Sequence, residues 1–325
     1  MPEAPHLNLA APAPPATMPE APPESPPPAG ERRAWLLGFA LGLGGFAVLG
    51  VLLALAALLA AGPPPRTVLL LGLDVRPDEQ QRGVPGHTDT IAVLALAPGR
   101  ATLISFPRDL WVEIPGYGPE RLNVAYPLGA RSGRPADGAA LLARTLATEF
   151  GLVVDHWACV DFRGFAALVD ALGGVEVTVP RTIVDETYPT DDYGTRRLVI
   201  PAGRQRFDGA TALAYVRTRA PDSDFGRMAR QQQVLLALRA QALTPGGLLH
   251  LPRALVVWPQ AVASDLSPRE LAALLRTLAL LSPDRLQTLV IGPELAPPAV
   301  GPGGAAILLP RKEAIRAAIA AALAP

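Results

Sequence analysis

Short apolar runs alternate along this chain with longer segments in which apolar residues recur every three or four positions. A continuous apolar run bounded by turn residues predicts a buried strand, and the longer spacing predicts a helix with one buried face. The predicted strands are residues 67–74, 91–97, 101–106, 175–179 and 286–291. The predicted helices are residues 137–150, 162–172, 225–243, 267–281 and 311–323.

Turn and capping residues support several of these boundaries. Pro98-Gly99-Arg100 separates two apolar runs and predicts a hairpin. Ser267 is followed three residues later by Glu270, which is the pattern of a capping box, and Asp137 is expected to cap another helix. Because strands alternate with helices and one pair forms a hairpin, we predict an α/β fold, with a mixed central sheet sandwiched between helices.

A long uncharged run precedes this body. Residues 34–62 carry no charged side chain and are long enough to cross a bilayer core of roughly 30 Å. We therefore expect one transmembrane helix over 34–62, although a signal peptide is the alternative because LLAAG could be a cleavage site. Residues 1–33 are rich in proline and predict a disordered cytoplasmic tail, and residues 63–66 predict a short linker. The positive-inside rule says almost nothing about the orientation of this helix. We expect the large body to lie outside because that arrangement is the simpler one.

Composition excludes some classes of protein. The formal charge sums to zero, whereas a general nucleic-acid binder normally carries a basic excess. The single cysteine, Cys159, lies in the apolar run HWACVDF and cannot form an internal disulfide. Since it lacks cationic neighbours in sequence, we expect it to be a small core residue.

The densest charged stretch reads YVRTRAPDSDFGRMARQQQ. Arg217 and Arg219 would point the same way only on extended backbone, whereas Arg227 and Gln231 share one face of a helix. Asp224 stands where an N-cap would precede that helix. Guanidinium groups gathered near a helix start suit a phosphate or pyrophosphate. A solvated face with salt bridges is the alternative.

Three more charged residues lie at the ends of predicted strands. Asp74 and Asp89 flank the loop between the first two strands, and Arg108 follows the third. Carboxylates can hold Mg²⁺ through oxygen ligands while arginines bind the phosphates that the metal bridges. Taken singly, the aspartates could instead cap strand ends, and Arg108 could form a salt bridge with Asp109.

Seven segments connect these residues to a known family. LLLGLD, HTDTIAV, SFPRDLWVEIPG, RLNVAYPLG, FRGFAALVDALGGVEV, FDGATALAYVRTR and DFGRMARQQ occur in this order between residues 67 and 243. This series resembles the LytR–CpsA–Psr family of cell-envelope phosphotransferases, which were earlier described as transcriptional attenuators. The resemblance implies a catalytic domain over 67–243, outside the cytoplasmic membrane and behind a single membrane helix. We expect residues 244–325 to be an extension packed on the same body.

The resemblance also implies roles for individual residues. It implies that Asp74 and Asp89 bind Mg²⁺. It implies a pyrophosphate site formed by Arg108, Arg121, Arg217, Arg219, Arg227 and Gln231, with Asp224 close by among the catalytic residues. Two positions depart from the family pattern, because Arg121 stands where a lysine is frequent and His87 where an arginine is usual. A hydrophobic tunnel for the lipid tail is implied too, for which helices 137–150, 162–172 and 233–243 are candidates, although ordinary core packing explains them as well.

The implied reaction transfers a glycopolymer phosphate from a polyprenyl-pyrophosphate carrier to peptidoglycan or another wall acceptor. An acceptor hydroxyl would attack the sugar-linked phosphorus, with Asp89 and Asp224 as candidate bases. Two alternatives remain open from the residues. One is a pyrophosphatase that acts on the same carrier with water, and the other is a non-catalytic regulator anchored in the membrane. No nucleic-acid partner is expected.

Overall fold

A computed structural model of the chain describes residues 62–75, 79, 82–190, 192–220 and 224–324. The predicted tail and all but the last residue of the predicted transmembrane helix lie outside these ranges. Of the residues that the structure describes, no single helix is long and apolar enough to span a membrane. Two consecutive helices, Asp224–Ala242 and Pro245–Ala261, meet the length and composition only as a pair, and they are bent by 104°.

The strands are β1 (Thr67–Asp74), β2 (His87–Ala97), β3 (Arg100–Phe106), β4 (Trp111–Ile114), β5 (Gly118–Arg121), β6 (His156–Asp161), β7 (Val175–Val179), β8 (Ile183–Pro189), β9 (Thr195–Ile200), β10 (Gly203–Phe207), β11 (Val262–Ser264), β12 (Leu286–Val290), β13 (Pro298–Val300) and β14 (Ala306–Leu308). The α-helices are α1 (Leu122–Gly129), α2 (Pro135–Phe150), α3 (Phe162–Ala171), α4 (Gly209–Arg217), α5 (Asp224–Ala242), α6 (Pro245–Ala261), α7 (Pro268–Leu280) and α8 (Lys312–Leu323). Short 3₁₀ turns cover Ala130–Ser132, Pro283–Arg285 and Pro302–Gly304.

A six-stranded mixed sheet forms the centre, in the order β11-β6-β1-β2-β3-β12. β1 is antiparallel to β2 and parallel to β6, while β3 is antiparallel to β2 and parallel to β12. The prediction of a mixed α/β fold is therefore confirmed. Because β1, β3 and β6 run in the same direction, their carboxyl ends lie at one edge of the sheet, where β2 begins.

Alternation along β1 assigns the two faces of the sheet. Leu69 and Leu71 belong to a buried cluster that also includes residues of α1, α2 and α8. Leu70 and Gly72 line a cavity on the opposite face, which α3, α5 and α6 cover and which Leu71 also borders. Cys159 is 5% exposed, and burial raises its pKa to about 12, so the prediction that it is a core residue is confirmed.

Some local predictions need correction. The second helix starts at Pro135 rather than at an Asp137 cap, because proline is well suited to the first helical turn, and Asp137 lies within that turn. Helices α1 and α6 were not predicted, since proline inside each interrupts the sequence pattern. The capping box before α7 is confirmed, because the Ser267 and Glu270 side chains each accept a hydrogen bond from the other's backbone N–H.

The sharp bend between α5 and α6 depends on close backbone packing at Gly247. A Cβ atom there would lie 1.9 Å from the carbonyl oxygen of Gln241. We expect Gly247→Ala to lower the free energy of unfolding by about 1–3 kcal/mol, as overpacked sites do. The neighbouring Gly246→Ala is a matched control, because among the described residues the only atom within 4 Å of its Cβ would be Thr244 Oγ1, at 4.0 Å. Thermal melting of the detergent-solubilised variants checks this, and equal melting temperatures for the two would contradict it.

Candidate functional site

Asp89 owes its position to an irregularity in the pairing of β1 with β2. Gly72 pairs with Thr90 and Leu73 pairs with Thr88, which leaves Asp89 as the extra residue of a β-bulge. The strands can approach here because residue 72 has no side chain. A Cβ atom at that position would lie 2.9 Å from the Cβ of Thr90. The bulge thus places a carboxylate at the edge of the sheet where β1, β3 and β6 end.

Arg108 reaches this carboxylate from the loop that follows β3. Its Nη1 donates a hydrogen bond of 2.7 Å to Asp89 Oδ1, and its Nε lies 3.5 Å from Asp109 Oδ2 and 3.7 Å from Asp224 Oδ2. Burial alone would lower the pKa of Arg108. The three carboxylates, Asp89 foremost, outweigh that effect and raise the pKa above its ordinary value.

Arg227 approaches Asp89 from the other side, from the first turn of α5. Its Nη1 lies 3.4 Å from Asp89 Oδ2, and its Nη2 lies 3.4 Å from Asp224 Oδ1. The side chain is 3% exposed, and burial lowers the pKa of its guanidinium against the opposing effect of the two aspartates. Asp224 also lies 3.7 Å from Arg219 Nε. The predicted gathering of distant arginines and aspartates is therefore present in the fold.

Arg217 is held by aromatic rings instead of carboxylates. Its guanidinium carbon lies 4.0 Å from the centre of the Phe162 ring and 5.7 Å from that of Tyr188. Within the described part of the chain, it has no carboxylate within ion-pair distance. A cation–π contact orients a guanidinium without neutralising it, so Arg217 keeps its full charge for an anion.

The backbone between Arg217 and Arg219 differs from the sequence-based expectation. Arg217 is the last residue of α4, and Thr218 has left the helical conformation, with φ −57° and ψ 141°. Thr218 is held on two sides, because its hydroxyl donates to Asp185 Oδ2 at 2.6 Å and its carbonyl accepts from Arg230 Nη2. These contacts fix Thr218, and they thereby limit the positions of Arg217 and Arg219 on either side of it.

Two cavities meet at this cluster. A polar cavity of about 570 Å³ is lined by Asp74, Asp89, Asp185, Thr187, Pro189, Arg217, Thr218, Arg219 and Ala220. An apolar cavity of about 410 Å³ has Asp89, Arg217, Arg227 and Gln231 in its wall. The rest of that wall is mostly hydrophobic and comes from β1, β6 and helices α3 to α7. Asp89 and Arg217 belong to both linings, so the cavities adjoin at these residues.

The remaining predicted site residues occupy different places. Gln231 is buried, and its Nε2 donates to the carbonyl of Val216 at 3.4 Å. His87 pairs with Asp74 across the sheet and is exposed. Arg121 stands apart, because it lies 3.6 Å from Asp109 and donates to the carbonyl of Ala306 at 2.8 Å, and it lines neither cavity.

Several residues that line the two cavities were not predicted from the sequence. Asp185 lies at an inward-facing position of β8, and a carboxylate at such a position is the signal that could have identified it. Helices α6 and α7 contribute Leu251, Ala254, Leu255, Trp258, Leu271 and Leu275 to the apolar cavity, although their segments had been interpreted as packing elements alone. The candidate lining helix 137–150 is wrong, since α2 packs on the opposite face of the sheet.

Comparison with known proteins gives the family. The LytR_cpsA_psr family model matches residues 61–296. A probable cell wall biosynthesis protein, LcpB of Corynebacterium glutamicum, is 41% identical over 167 residues, which are 51% of this chain and 36% of LcpB. The polyisoprenyl-teichoic acid–peptidoglycan teichoic acid transferase TagU of Oceanobacillus iheyensis is 32% identical over 216 residues, 65% of this chain and 62% of TagU. The matched part thus spans less than two thirds of either relative.

A solved structure shares the fold. The Bacillus subtilis protein TagT, also called YwtF, with bound octaprenyl pyrophosphate lipid superposes with a TM-score of 0.58 at 23% identity, covering 81% of this chain and 92% of TagT. At that identity the likeness concerns the fold alone. The family model nevertheless covers most of the chain, and the seven segments lie within its match. The chain therefore belongs to the LytR–CpsA–Psr family.

Proposed function

We propose that this protein transfers a glycopolymer phosphate from a polyprenyl-pyrophosphate carrier to peptidoglycan or another wall acceptor, with the help of Mg²⁺. The observation that carries this proposal is the junction of the two cavities at Asp89 and Arg217. A molecule with an anionic head and a long apolar tail fits such a junction. Its pyrophosphate would lie among the arginines, and its polyprenyl chain would enter the apolar cavity.

The relatives support the same assignment. TagU is named for transfer of teichoic acid to peptidoglycan, LcpB for cell wall biosynthesis, and TagT has been solved with octaprenyl pyrophosphate. We propose that this chain acts at the same kind of carrier, on the outer side of the cytoplasmic membrane, with residues 34–62 as its membrane helix and its N-terminus inside.

The donor set of the polar cavity suits Mg²⁺. Asp74 and Asp89 both line this cavity, and carboxylate oxygens are the ligands that Mg²⁺ prefers. Among the described residues no group of three acidic, histidine or cysteine side chains could hold a metal without other ligands. That limit agrees with a Mg²⁺ ion that is completed by water and by substrate phosphates. When bound, it would neutralise charge on the phosphate oxygens.

In the proposed reaction, an acceptor hydroxyl attacks the sugar-linked phosphorus and polyprenyl phosphate leaves. Arg108, Arg217, Arg219 and Arg227 would stabilise the charge that develops on the phosphate oxygens. Asp89 already faces two guanidinium groups and Asp224 faces three. Both carboxylates therefore position the arginines, and they remain the candidate acceptors of the hydroxyl proton.

Turnover of a defined carrier tests this function directly. The full chain in detergent would be incubated with a polyprenyl-pyrophosphate sugar, Mg²⁺ and peptidoglycan fragments. A conjugate that contains sugar phosphate and acceptor supports the transferase. Release of lipid phosphate without a conjugate would support a pyrophosphatase, and absence of both products would support a non-catalytic regulator.

Arg217→Ala should weaken binding of polyprenyl pyrophosphate by about 1.5–3 kcal/mol, because it removes a charge-assisted contact. The matched control is Arg197→Ala, which removes an arginine from an exposed ion pair with Glu186, because neither residue lines either cavity. Affinities measured by calorimetry in detergent would separate the two variants. Unchanged affinity in Arg217→Ala would count against the site.

Asp89→Asn should abolish the effect of Mg²⁺ on lipid binding and turnover. We expect wild-type protein to bind polyprenyl pyrophosphate more tightly with Mg²⁺ than with EDTA. Loss of a metal ligand should weaken metal affinity by at least about 10–100-fold, the effect seen for supporting residues around metal sites. Asp284→Asn, at an exposed aspartate on the Pro283–Arg285 turn, serves as the control. A variant at position 89 that responds to Mg²⁺ like wild type would exclude Asp89 as a ligand.

A further inference from the structure

Helices α6 and α7 present large apolar side chains to the solvent. Leu249 and Leu280 are 82% and 80% exposed, and Val256 is 71% exposed. Large exposed apolar side chains on two helices that line the same cavity indicate a site of interaction. We call the following exposed residues the apolar rim: Leu248, Leu249, Leu255, Val256, Leu275 and Leu280.

The apolar rim is continuous with the apolar cavity. Leu255 of α6 and Leu275 of α7 both line the cavity, yet they are 46% and 41% exposed. The cavity therefore reaches the surface between these two helices. Its polar wall, at Asp89 and Arg217, belongs to the junction with the polar cavity. A lipid with its head at that junction would have its tail directed towards the rim.

The charge on the α6 half of the rim fits an anionic surface of lipid, whereas Asp265, Glu270 and Asp284 flank the α7 half. From residue 240 to residue 264 the sequence contains no aspartate or glutamate, and its one charged residue is Arg253. Arg253 is exposed on α6, between the rim leucines. An apolar helix face with basic but no acidic side chains is typical of segments that lie in a membrane interface.

Gly62, the first residue that the structure describes, lies against helix α7. Arg276 Nη2, next to Leu275 on α7, donates a hydrogen bond of 2.9 Å to the carbonyl of Gly62. Gly62 is the last residue of the uncharged run for which we propose a membrane crossing. If this run crosses the membrane as proposed, the chain leaves the bilayer on the side of α7 to which Arg276 binds Gly62, next to the rim residue Leu275.

We propose that the apolar rim docks on the outer leaflet of the membrane, so that the mouth of the apolar cavity opens into the bilayer. A polyprenyl tail can then pass from the bilayer into the cavity without exposure to water. The identity of that lipid rests on the proposed function. The docking surface itself is defined by the rim, the charge pattern and the position of Gly62.

Lipid quenching of a site-specific fluorophore tests the docking. The full chain would carry an environment-sensitive label on Val256→Cys, or on Val300→Cys as the matched control, since Val256 and Val300 are 71% and 78% exposed. The native Cys159 is buried and should remain unlabelled. Each protein would be reconstituted into phosphatidylethanolamine–phosphatidylglycerol vesicles that contain a doxyl-labelled phospholipid. We expect quenching at residue 256 to be at least about two-fold stronger than at residue 300.

Several outcomes would overturn the proposal. Equal quenching at the two positions would show that the rim does not face the lipid. A label at residue 256 that is shielded from water but not quenched would indicate a second copy of the chain as the occupant. Protein that fails to float with the vesicles would also refute docking on a bilayer.

A rim variant separates this proposal from the proposed function. Leu249→Asp changes a rim residue that does not line the cavity. It should slow turnover of a carrier embedded in vesicles by about ten-fold or more, and leave turnover of the same carrier in detergent unchanged. Equal rates for wild type and variant in vesicles would overturn the docking. If wild type turns over the carrier in neither medium, the proposed function fails, while the quenching comparison still decides whether the rim meets the membrane.

Discussion

Asp89 faces two guanidinium groups that belong to residues 19 and 138 positions away along the chain. Arg108 and Arg227 are both largely buried, and two positive groups so close together would repel each other without a carboxylate between them. A buried charge that loses its partner is strongly destabilising. The Asp89 side chain therefore connects the bulge at Gly72, the end of β3 and the first turn of α5. The rest of the site depends on this connection.

The arginines of the site form two groups, which differ in whether carboxylates already balance their charge. Those around Asp89 and Asp224 are already balanced by carboxylates, whereas Arg217 is held by the rings of Phe162 and Tyr188 and keeps its charge. In the proposed function, an arriving pyrophosphate would first meet the uncompensated cation. If its oxygens took over Arg108 and Arg227, the Asp89 carboxylate would be available to hold Mg²⁺, which would neutralise charge on the phosphates. Anion and metal would then strengthen each other's binding, since such coupling is reciprocal.

Sequence patterns predicted four of the six strands of the central sheet, β1, β2, β3 and β12, because local apolar runs mark them, but not β6 or β11. Apolar runs identified β1, β2 and β3, and motif order brought Asp89, Arg108 and Arg227 into one hypothesis. Helices α1 and α6 escaped prediction because proline inside them interrupts the pattern, and tertiary packing overrides that cost. Which face of the sheet a helix covers is a property of tertiary structure, so periodicity could not place α2 away from the cavity. The position of Arg121 beside Asp109 likewise depends on a strand pair that spacing does not reveal.

The last quarter of the chain, from α6 onward, supports the arginine cluster through the two edge strands of the sheet. β12 pairs with β3, whose end leads to Arg108, and β11 pairs with β6, whose end leads to Phe162 and thus to the ring that holds Arg217. Between these two strands in sequence, α7 supplies wall to the apolar cavity, as α6 does just before β11. The arginine cluster and the apolar cavity are therefore built on the same elements. A chain that ends after α5 would lack both edge strands, β11 and β12, and much of the cavity wall. Its arginines would then lack the strands that position them.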